Sequence, residues 1–252
     1  VKVVEAAHCG ADTSFELRFD GLDPQLRFRR NLDAFEQYIP DIYQAFQDYQ
    51  PEKYDAVLTG DGVLNVVDLE TNEFLYGQDP GSLVASQYLT FRYNPPSAYY
   101  SVSGGDPAYN FVHVEHMGRL RKRLEELYKD DNAADHFPEA IKSFMMFGIG
   151  LGYQLEWLVR DCKIRNLYLF EPEMDLLFTS LFAIDWSFIL KKLDDEGGAV
   201  HLSVALKPED HFADLQRRMH QRGQYDAAST YCMVHYRTDT MLKVVEEVMA
   251  QW

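Results

Sequence analysis

Hydrophobic and polar residues alternate between strand-like and helix-like patterns in the second half of the chain. Short apolar runs predict buried strands over residues 143–147, 166–170, 199–206 and 227–235. Helical spacing of apolar residues predicts helices over residues 153–162, 173–193, 208–222 and 239–252. Strands that alternate with helices are typical of a mostly parallel sheet with helices on both faces. This half therefore predicts a Rossmann-like α/β domain.

The first half has a mixed pattern. Apolar residues at helical intervals predict a helix over 31–48 that Pro40 bends or restarts, and another helix from Asp79 to just before Asn94. Strands are predicted over 15–19, 54–59 and 97–101, and an amphipathic helix over 113–129. Residues 64–69 and 73–76 flank a turn-like tetrapeptide and predict a β-hairpin.

We predict two parts, divided in the polar region around residues 104–112. Residues 1–110 form a small α+β N-terminal part with the hairpin, and residues 111–252 form the Rossmann-like domain. A chain of 252 residues is long enough for either one large domain or two small ones.

The glycine turn of the Rossmann-like part is its clearest candidate site. Gly148, Gly150 and Gly152 follow a predicted buried strand and precede a helix, and Glu171 ends the next strand 23 positions after Gly148. Glycines allow a tight turn and a close ligand, the helix N-terminus favours an anion, and an acid at this distance often binds ribose hydroxyls. We predict cofactor binding by these four residues, with the cofactor unknown. In the alternative interpretation, the glycines only let the helix pack on the strand.

Charge and composition exclude several function classes. The chain has 40 acidic residues against 24 Lys and Arg, a net charge of −16, which argues against nucleic-acid and anionic-membrane surfaces. No apolar run is long enough to span a membrane. There is no signal-peptide pattern, and the missing initiator Met indicates a shortened chain. The widely spaced Cys9, Cys162 and Cys232 favour a reduced, cytoplasmic setting, with Cys162 and Cys232 in the core.

Other candidate chemistry is weaker. The eight histidines do not fall at metal-ligand spacing with Cys, Asp or Glu, so no metal site is predicted. No Walker A loop or serine-hydrolase motif occurs. Asp61, between two glycines after a strand, fits either a ligand-facing tip or a turn. Asp185 is predicted to cap a helix that begins near Ser187, with Trp186 in a core pocket.

Several motifs together resemble the motility accessory factor (Maf) family of flagellin glycosyltransferases. They are FGIGLGYQLE over residues 147–156, LFEPE over 169–173, SLFAIDWS over 180–187, RNLDAF over 30–35 and the segment after GDG at 60–62. The similarity covers roughly residues 28–252 and corresponds to the N-terminal region of the family. Each motif alone has moderate specificity, and their order along the chain carries the resemblance.

The resemblance implies a bacterial protein that helps to transfer a nonulosonic, sialic-acid-like sugar from its CMP-activated form to Ser or Thr of flagellin. The family's central, sialyltransferase-like domain with its Gly-x-Gly-Pro-Ser-type turn is not found here, and it would begin near Trp252. No catalytic residue can therefore be carried over. The implied partners are flagellin and the remaining domains of the full-length chain.

Two alternatives stay open. The glycine turn with Glu171 could hold S-adenosylmethionine in a methyltransferase-like domain. The chain could instead be a non-enzymatic module that docks flagellin through the aromatic-rich segment 88–109, in which Tyr99 and Tyr100 are adjacent.

Overall fold

The computed structural model describes residues 2–5, 14–17, 22–60, 62–99, 119, 123, 137–222, 226 and 229–251. Its strands are β1 (Lys2–Glu5), β2 (Ser14–Leu17), β3 (Tyr54–Leu58), β4 (Leu64–Asp68), β5 (Ser97–Tyr99), β6 (Ala140–Phe147), β7 (Lys163–Glu171), β8 (Ala199–Val204) and β9 (Ser229–Val234). Its helices are α1 (Pro24–Tyr38), α2 (Pro40–Phe46), α3 (Pro80–Tyr93), α4 (Tyr153–Asp161), α5 (Met174–Ala183), α6 (Trp186–Asp195), α7 (Pro208–Arg222) and α8 (Asp239–Gln251). Apart from residues 119 and 123, which are helical, the predicted helix over 113–129 lies outside the described residues. Asp61 and Cys9 also lie outside them.

A five-stranded sheet forms the centre of the fold, in the order β5-β9-β6-β7-β8. Strands β6, β7, β8 and β9 are parallel, and β5 adds antiparallel to β9 at one edge. The inner strands read as continuous apolar runs because helices cover the sheet. Residues 144–147, for example, are all 0 or 1% exposed. The predicted mostly parallel α/β fold is confirmed.

The predicted β-hairpin forms only as a short antiparallel pairing, with the Asp68 N–H bonded to the Glu73 carbonyl and the Leu75 N–H bonded to the Val66 carbonyl. The longer pairing of β4 was not predicted. Strand β4 pairs antiparallel with β3, which precedes it, and the chain reverses through Gly62 at a φ of 81°. The segment after β4 makes a single bridge, between Val67 and Phe74. The Asp68 carboxylate accepts hydrogen bonds from two turn N–H groups and Asn72 has a φ of 57°, so this second turn exists. Beyond this turn, the pairing with β4 consists of the one bridge between Val67 and Phe74.

Helix α1 joins the N-terminal part to the Rossmann-like part through buried polar side chains. Asn31, with no exposed surface, donates to the carbonyl oxygens of Leu181 (2.8 Å) and Ile184 (2.7 Å) and accepts from the Ser187 N–H. Arg27 donates to the carbonyl oxygen of Ala183 at 2.8 Å. These bonds use carbonyl groups at the end of α5, which a helix leaves without internal partners.

Aromatic contacts extend one hydrophobic core through both parts. Phe35 lies edge-on to Trp186 with ring centroids 5.5 Å apart, and Phe46 lies 5.2 Å from Phe178. The division at residue 110 stays a prediction, since the segment around it lies outside the described residues. What the described residues share is a continuous core that includes α1, α2, α5 and α6.

The Asp175 carboxylate, on the first turn of α5, holds the segment that leads into β3. It accepts hydrogen bonds from the N–H groups of Glu52 (3.1 Å), Lys53 (2.6 Å) and Tyr54 (2.9 Å), and from the hydroxyl of Tyr49. These bonds hold the pKa of Asp175 below its ordinary value, although burial opposes them. Together with the ion pair between Lys53 and Glu173, this side chain holds the start of β3 against α5.

Further expectations for single residues are confirmed. The Asp185 carboxylate caps α6 by accepting from the Phe188 N–H at 2.9 Å, and the Trp186 indole N–H donates to Ser180 Oγ at 2.8 Å from a fully buried position. Cys162 and Cys232 are buried, as predicted. Among the helices that the structure describes, none is long and apolar enough to cross a bilayer.

Candidate functional site

The candidate site lies where the chain reverses its path along the sheet. From β6 the chain moves outward through β7 to β8, and then returns to place β9 on the other side of β6. Ligands of open α/β sheets bind outside the carboxyl ends of the strands at such a point. Here the carboxyl ends bring together the turn 148–152 after β6, Glu171 at the end of β7, and His235 with Tyr236 after β9.

The Glu171 carboxylate points into the glycine turn and is fully buried. Its Oε2 accepts hydrogen bonds from the N–H groups of Ile149 (2.8 Å) and Gly150 (3.2 Å). Its Oε1 accepts from the Glu173 N–H at 3.1 Å and from the hydroxyl of Tyr236. Burial raises the pKa of Glu171 to about 7, while these four donors pull the pKa downward.

A second cluster of hydrogen-bonded side chains, around Tyr76 and His235, covers the other side of the turn. The Tyr76 hydroxyl accepts from the Leu151 N–H at 2.8 Å and lies 2.6 Å from Nε2 of His235. Nδ1 of His235 lies 2.9 Å from Gln154 Nε2 and 3.0 Å from Gln87 Oε1. Both ring nitrogens therefore have partners inside the protein. Burial lowers the pKa of His235 to about 4, which keeps the imidazole neutral at pH 7.

All three glycines of the turn have a positive φ and a side chain packed against the α-carbon. A Cβ added at Gly148 would meet the Tyr236 ring at 2.6 Å, and one at Gly152 would meet Ile184 at 2.5 Å. At Gly150 a Cβ would lie 2.0 Å from the Tyr76 hydroxyl. The space that glycine leaves open for a ligand in a nucleotide-binding turn is occupied here by side chains of the same protein.

The N–H donors of the turn are already used within the protein. Those of Ile149 and Gly150 bond to Glu171, that of Leu151 bonds to Tyr76, and that of Gly152 bonds to the Ile149 carbonyl at 2.9 Å. A phosphate at the start of α4 would need some of these donors. Glu171, predicted to bind ribose hydroxyls, accepts two of these N–H groups in this conformation.

The structure thus brings together all four predicted cofactor-binding residues, Gly148, Gly150, Gly152 and Glu171, and each of them contacts other residues of the same protein. Ligand binding by this set stays a prediction. Sequence reasoning missed the residues that close the turn, namely Tyr76, Tyr236, Gln87 and Gln154. The position of His235 at the end of a strand was visible in the sequence, but its hydrogen-bond partners lie far away along the chain.

The aromatic segment proposed for docking is partly a core element. Tyr88 and Phe91 are 1% and 4% exposed and pack inside the fold, whereas Tyr93 is 43% exposed. The side chains of Tyr99 and Tyr100 lie outside the described residues. In the described part of the chain, no cluster of three or more His, Cys, Asp or Glu could hold a metal ion.

An open groove of about 760 Å³ lies between α1 and α6. Its cations are matched by acids: Arg30 pairs with Asp185, and Arg160 with Glu156. Lys191 and Lys192 likewise pair with Asp195 and Glu196. The groove therefore offers an anion no cluster of unpaired positive charge.

Comparisons with known proteins agree with this architecture. Residues 27–252 match a family model described as the glycosyltransferase Maf N-terminal domain. The fold is similar to the structure of a Maf glycosyltransferase from Magnetospirillum magneticum AMB-1, with a TM-score of 0.68 and 20% sequence identity. That match covers 90% of this chain and 35% of the other, so the chain spans about a third of its solved relative.

A search of curated proteins found no match. The family model is decisive because it matches nearly the whole chain, including the glycine turn, Glu171 and the α1 contacts. The chain belongs to the Maf glycosyltransferase family, whose N-terminal domain it contains.

Proposed function

We propose that this chain is the non-catalytic N-terminal domain of a Maf-type glycosyltransferase that transfers a nonulosonic sugar to Ser or Thr residues of flagellin in the bacterial cytoplasm. Its partners are flagellin and the remaining domains of the full-length protein. Family membership supports the sugar-transfer chemistry. The absence of a catalytic role is supported by one observation above all. At the sheet position where an α/β protein binds its ligand, the donors already bond to Glu171 and Tyr76.

The closed turn gives the domain a structural task. Glu171 and Tyr236 tie the ends of β7 and β9 to the turn after β6, and Tyr76 adds the N-terminal part to the same point. A domain that is rigid at its sheet edge can present flagellin, or the domain that performs catalysis, in a fixed orientation. Sugar transfer itself then depends on residues elsewhere in the full-length protein.

The transfer reaction is tested by the mass of flagellin. Deleting the gene should remove a sugar-sized mass from flagellin, and complementation with the full-length gene should restore it. Complementation with a gene that lacks the region encoding residues 1–252 should fail if this domain is required. Flagellin of unchanged mass in the deletion strain would contradict the proposed substrate.

The closed turn is tested by calorimetry on the 252-residue chain. We expect no heat of binding from CMP, a CMP-activated nonulosonic acid or S-adenosylmethionine at about 1 mM, which means that any binding free energy is weaker than about −4 kcal/mol. The full-length protein, titrated with the CMP-activated sugar, is the positive control. Saturable binding of S-adenosylmethionine that Glu171→Gln abolishes would contradict the closed turn and favour the methyltransferase alternative.

A further inference from the structure

Helix α8 (Asp239–Gln251) has apolar residues on two of its faces. Met241, Val244 and Val248 have no exposed surface and form the face that packs on the domain. One apolar stripe is enough for a helix on the surface of a soluble domain. The exposed members of the second face, Leu242 and Met249, are therefore not needed for the packing of α8 on this domain, whereas Val245 packs partly against its core.

That second face is the α8 row, formed by Leu242, Val245 and Met249. These residues are three and seven positions apart, which places them along one side of a helix. Leu242 is 45% exposed and Met249 39% exposed, while Val245 is partly buried. A shallow depression of about 810 Å³ lies against the row, bordered by polar residues that include Lys243 and Glu246. An apolar row with a polar border is typical of an interface.

We propose that the α8 row is the contact surface for the domain that follows this one in a full-length Maf glycosyltransferase. The proposal rests on the proposed function. The matched family domain is N-terminal and runs to residue 252, so a segment that follows it is joined to it beside α8. The solved relative supplies the second argument, because 65% of its length lies outside the match. A domain tethered this close has a high effective concentration at the row, so even a small apolar contact can form.

The chemistry of the row defines the partner surface. It should be apolar at its centre to cover Leu242 and Met249, with an acid facing Lys243 and a base facing Glu246. Charged borders of this kind set the orientation of an interface more than its strength. The contact would fix the direction in which the following domain leaves the Rossmann-like sheet.

Hydrogen exchange tests whether the row is covered. Amides of residues 239–251 should exchange at least about tenfold more slowly in the full-length protein than in the 252-residue chain, which corresponds to about 1.4 kcal/mol of added protection. Amides of β6 and β7, buried in both proteins, are the internal reference. Equal exchange of 239–251 in the two proteins would overturn the proposal.

A pair of double variants assigns the protection to the row. Leu242→Gln with Met249→Gln should return the exchange of 239–251 in the full-length protein to the rate of the 252-residue chain. The matched control is Lys243→Gln with Glu246→Gln, which changes the polar border of the same helix and keeps the net charge. The control should alter the rate by less than about twofold, since exposed border charges contribute little. Melting of each variant 252-residue chain verifies folding.

The remaining outcomes are also decisive. Protection of the row in the 252-residue chain that increases with protein concentration, together with a dimer in sedimentation, would assign the row to a second copy and overturn the proposal. Equal loss of protection in the two double variants would mean that the apolar side chains of the row do not cause the protection, and would overturn the proposal. Flagellin mass is a separate readout: unchanged flagellin in the deletion strain with a protected row would contradict only the proposed substrate.

Discussion

Two carboxylates of this domain have almost the same donors and opposite pKa shifts. Glu171 and Asp175 each accept three backbone N–H bonds and one tyrosine hydroxyl. Burial raises the pKa of Glu171 above its ordinary value of 4.5, whereas the hydrogen bonds hold the pKa of Asp175 below 3.8. Four donors are thus not sufficient to keep a carboxylate ionised, and depth decides the sign.

The two sites also distribute their donors differently. At Asp175 all three N–H groups bond to Oδ2, and Tyr49 alone bonds to Oδ1. At Glu171 each oxygen has at least one backbone N–H. An asparagine at position 175 can turn its oxygen toward the three N–H groups, so that its NH₂ faces no N–H group. A glutamine at position 171 must turn its NH₂ toward at least one N–H group. The two sites should therefore respond differently to replacement of the carboxylate by an amide.

The largest expected effect comes from forcing the Glu171 site open. Gly150→Ala should lower the free energy of unfolding by about 3–5 kcal/mol, because it combines left-handed strain with overpacking against Tyr76. Gly77→Ala is the matched control: φ is 62° there against 52° at Gly150, but a Cβ at Gly77 would meet nothing within 4 Å. It should cost only the backbone strain, about 1–2 kcal/mol.

Urea unfolding of the two alanine variants measures this difference directly. Equal losses of unfolding free energy at the two positions would mean that Tyr76 moves aside with no loss of stability. The contacts of Tyr76 would then not hold the turn closed. A larger loss at Gly150 would show that close approach, in addition to φ, requires glycine there.

The next effect separates the two carboxylates at pH 7. Asp175→Asn should cost about 2–3 kcal/mol, because a neutral amide oxygen replaces the charged oxygen that accepts hydrogen bonds from three N–H groups. Glu171→Gln should cost about 1 kcal/mol, because the unpaired Glu173 N–H is offset by relief from a buried charge. Thermal unfolding of both variants against the parent checks the order, and a larger loss for Glu171→Gln would contradict it.

The sequence allowed the position of Glu171 to be predicted but not its direction. A strand, a glycine turn and an acid 23 residues later place that acid at the turn whatever it binds, because the βα unit is a local structure. Whether the carboxylate faces a ligand or the turn itself depends on Tyr236, which is 65 residues away along the chain. Asp175 was not singled out at all, since its partners precede it by more than 120 positions.

The same distinction between local and distant information explains the rest of the fold. The parallel sheet follows from apolar runs that can be read within each strand, and its class was predicted correctly. The hairpin prediction gave the shorter of two pairings, because residues 64–68 pair with both neighbouring segments and the sequence signals a turn on both sides. The antiparallel strand β5 joins β9 from 130 positions away, which no local pattern indicates.

Changing pH should shift the costs of the two amide variants in different ranges. Glu171 has a raised pKa, so its contribution to stability is complete below about pH 4.5 and is lost as pH rises through about 7. The cost of Glu171→Gln should therefore fall between pH 5 and pH 7.5, by at most about 1.4 kcal/mol per pH unit. Asp175 has a lowered pKa, so its contribution is present above pH 3.8 and is lost as pH falls further.

Unfolding free energies of the parent and both variants, measured from pH 3 to pH 8, check these opposite directions. The cost of Asp175→Asn should stay constant between pH 5 and pH 7.5 and decrease only in acid. A cost of Glu171→Gln that is independent of pH in the neutral range would mean that Glu171 keeps an ordinary pKa in the folded protein.

The smallest effect distinguishes the two tyrosines. Tyr236→Phe removes a donor from a carboxylate with no exposed surface, where no water can easily replace the hydroxyl, and should cost about 1–2 kcal/mol. Tyr49→Phe removes the equivalent donor from Asp175, which lies nearer the surface, so water can take its place and the cost should be about 0.5–1 kcal/mol. Tyr236→Phe should also raise the pKa of Glu171, since a bond to the ionised form is lost. Titration of that carboxyl by NMR measures the shift, and an unchanged pKa would show that depth alone separates Glu171 from Asp175, with no contribution from the hydroxyl.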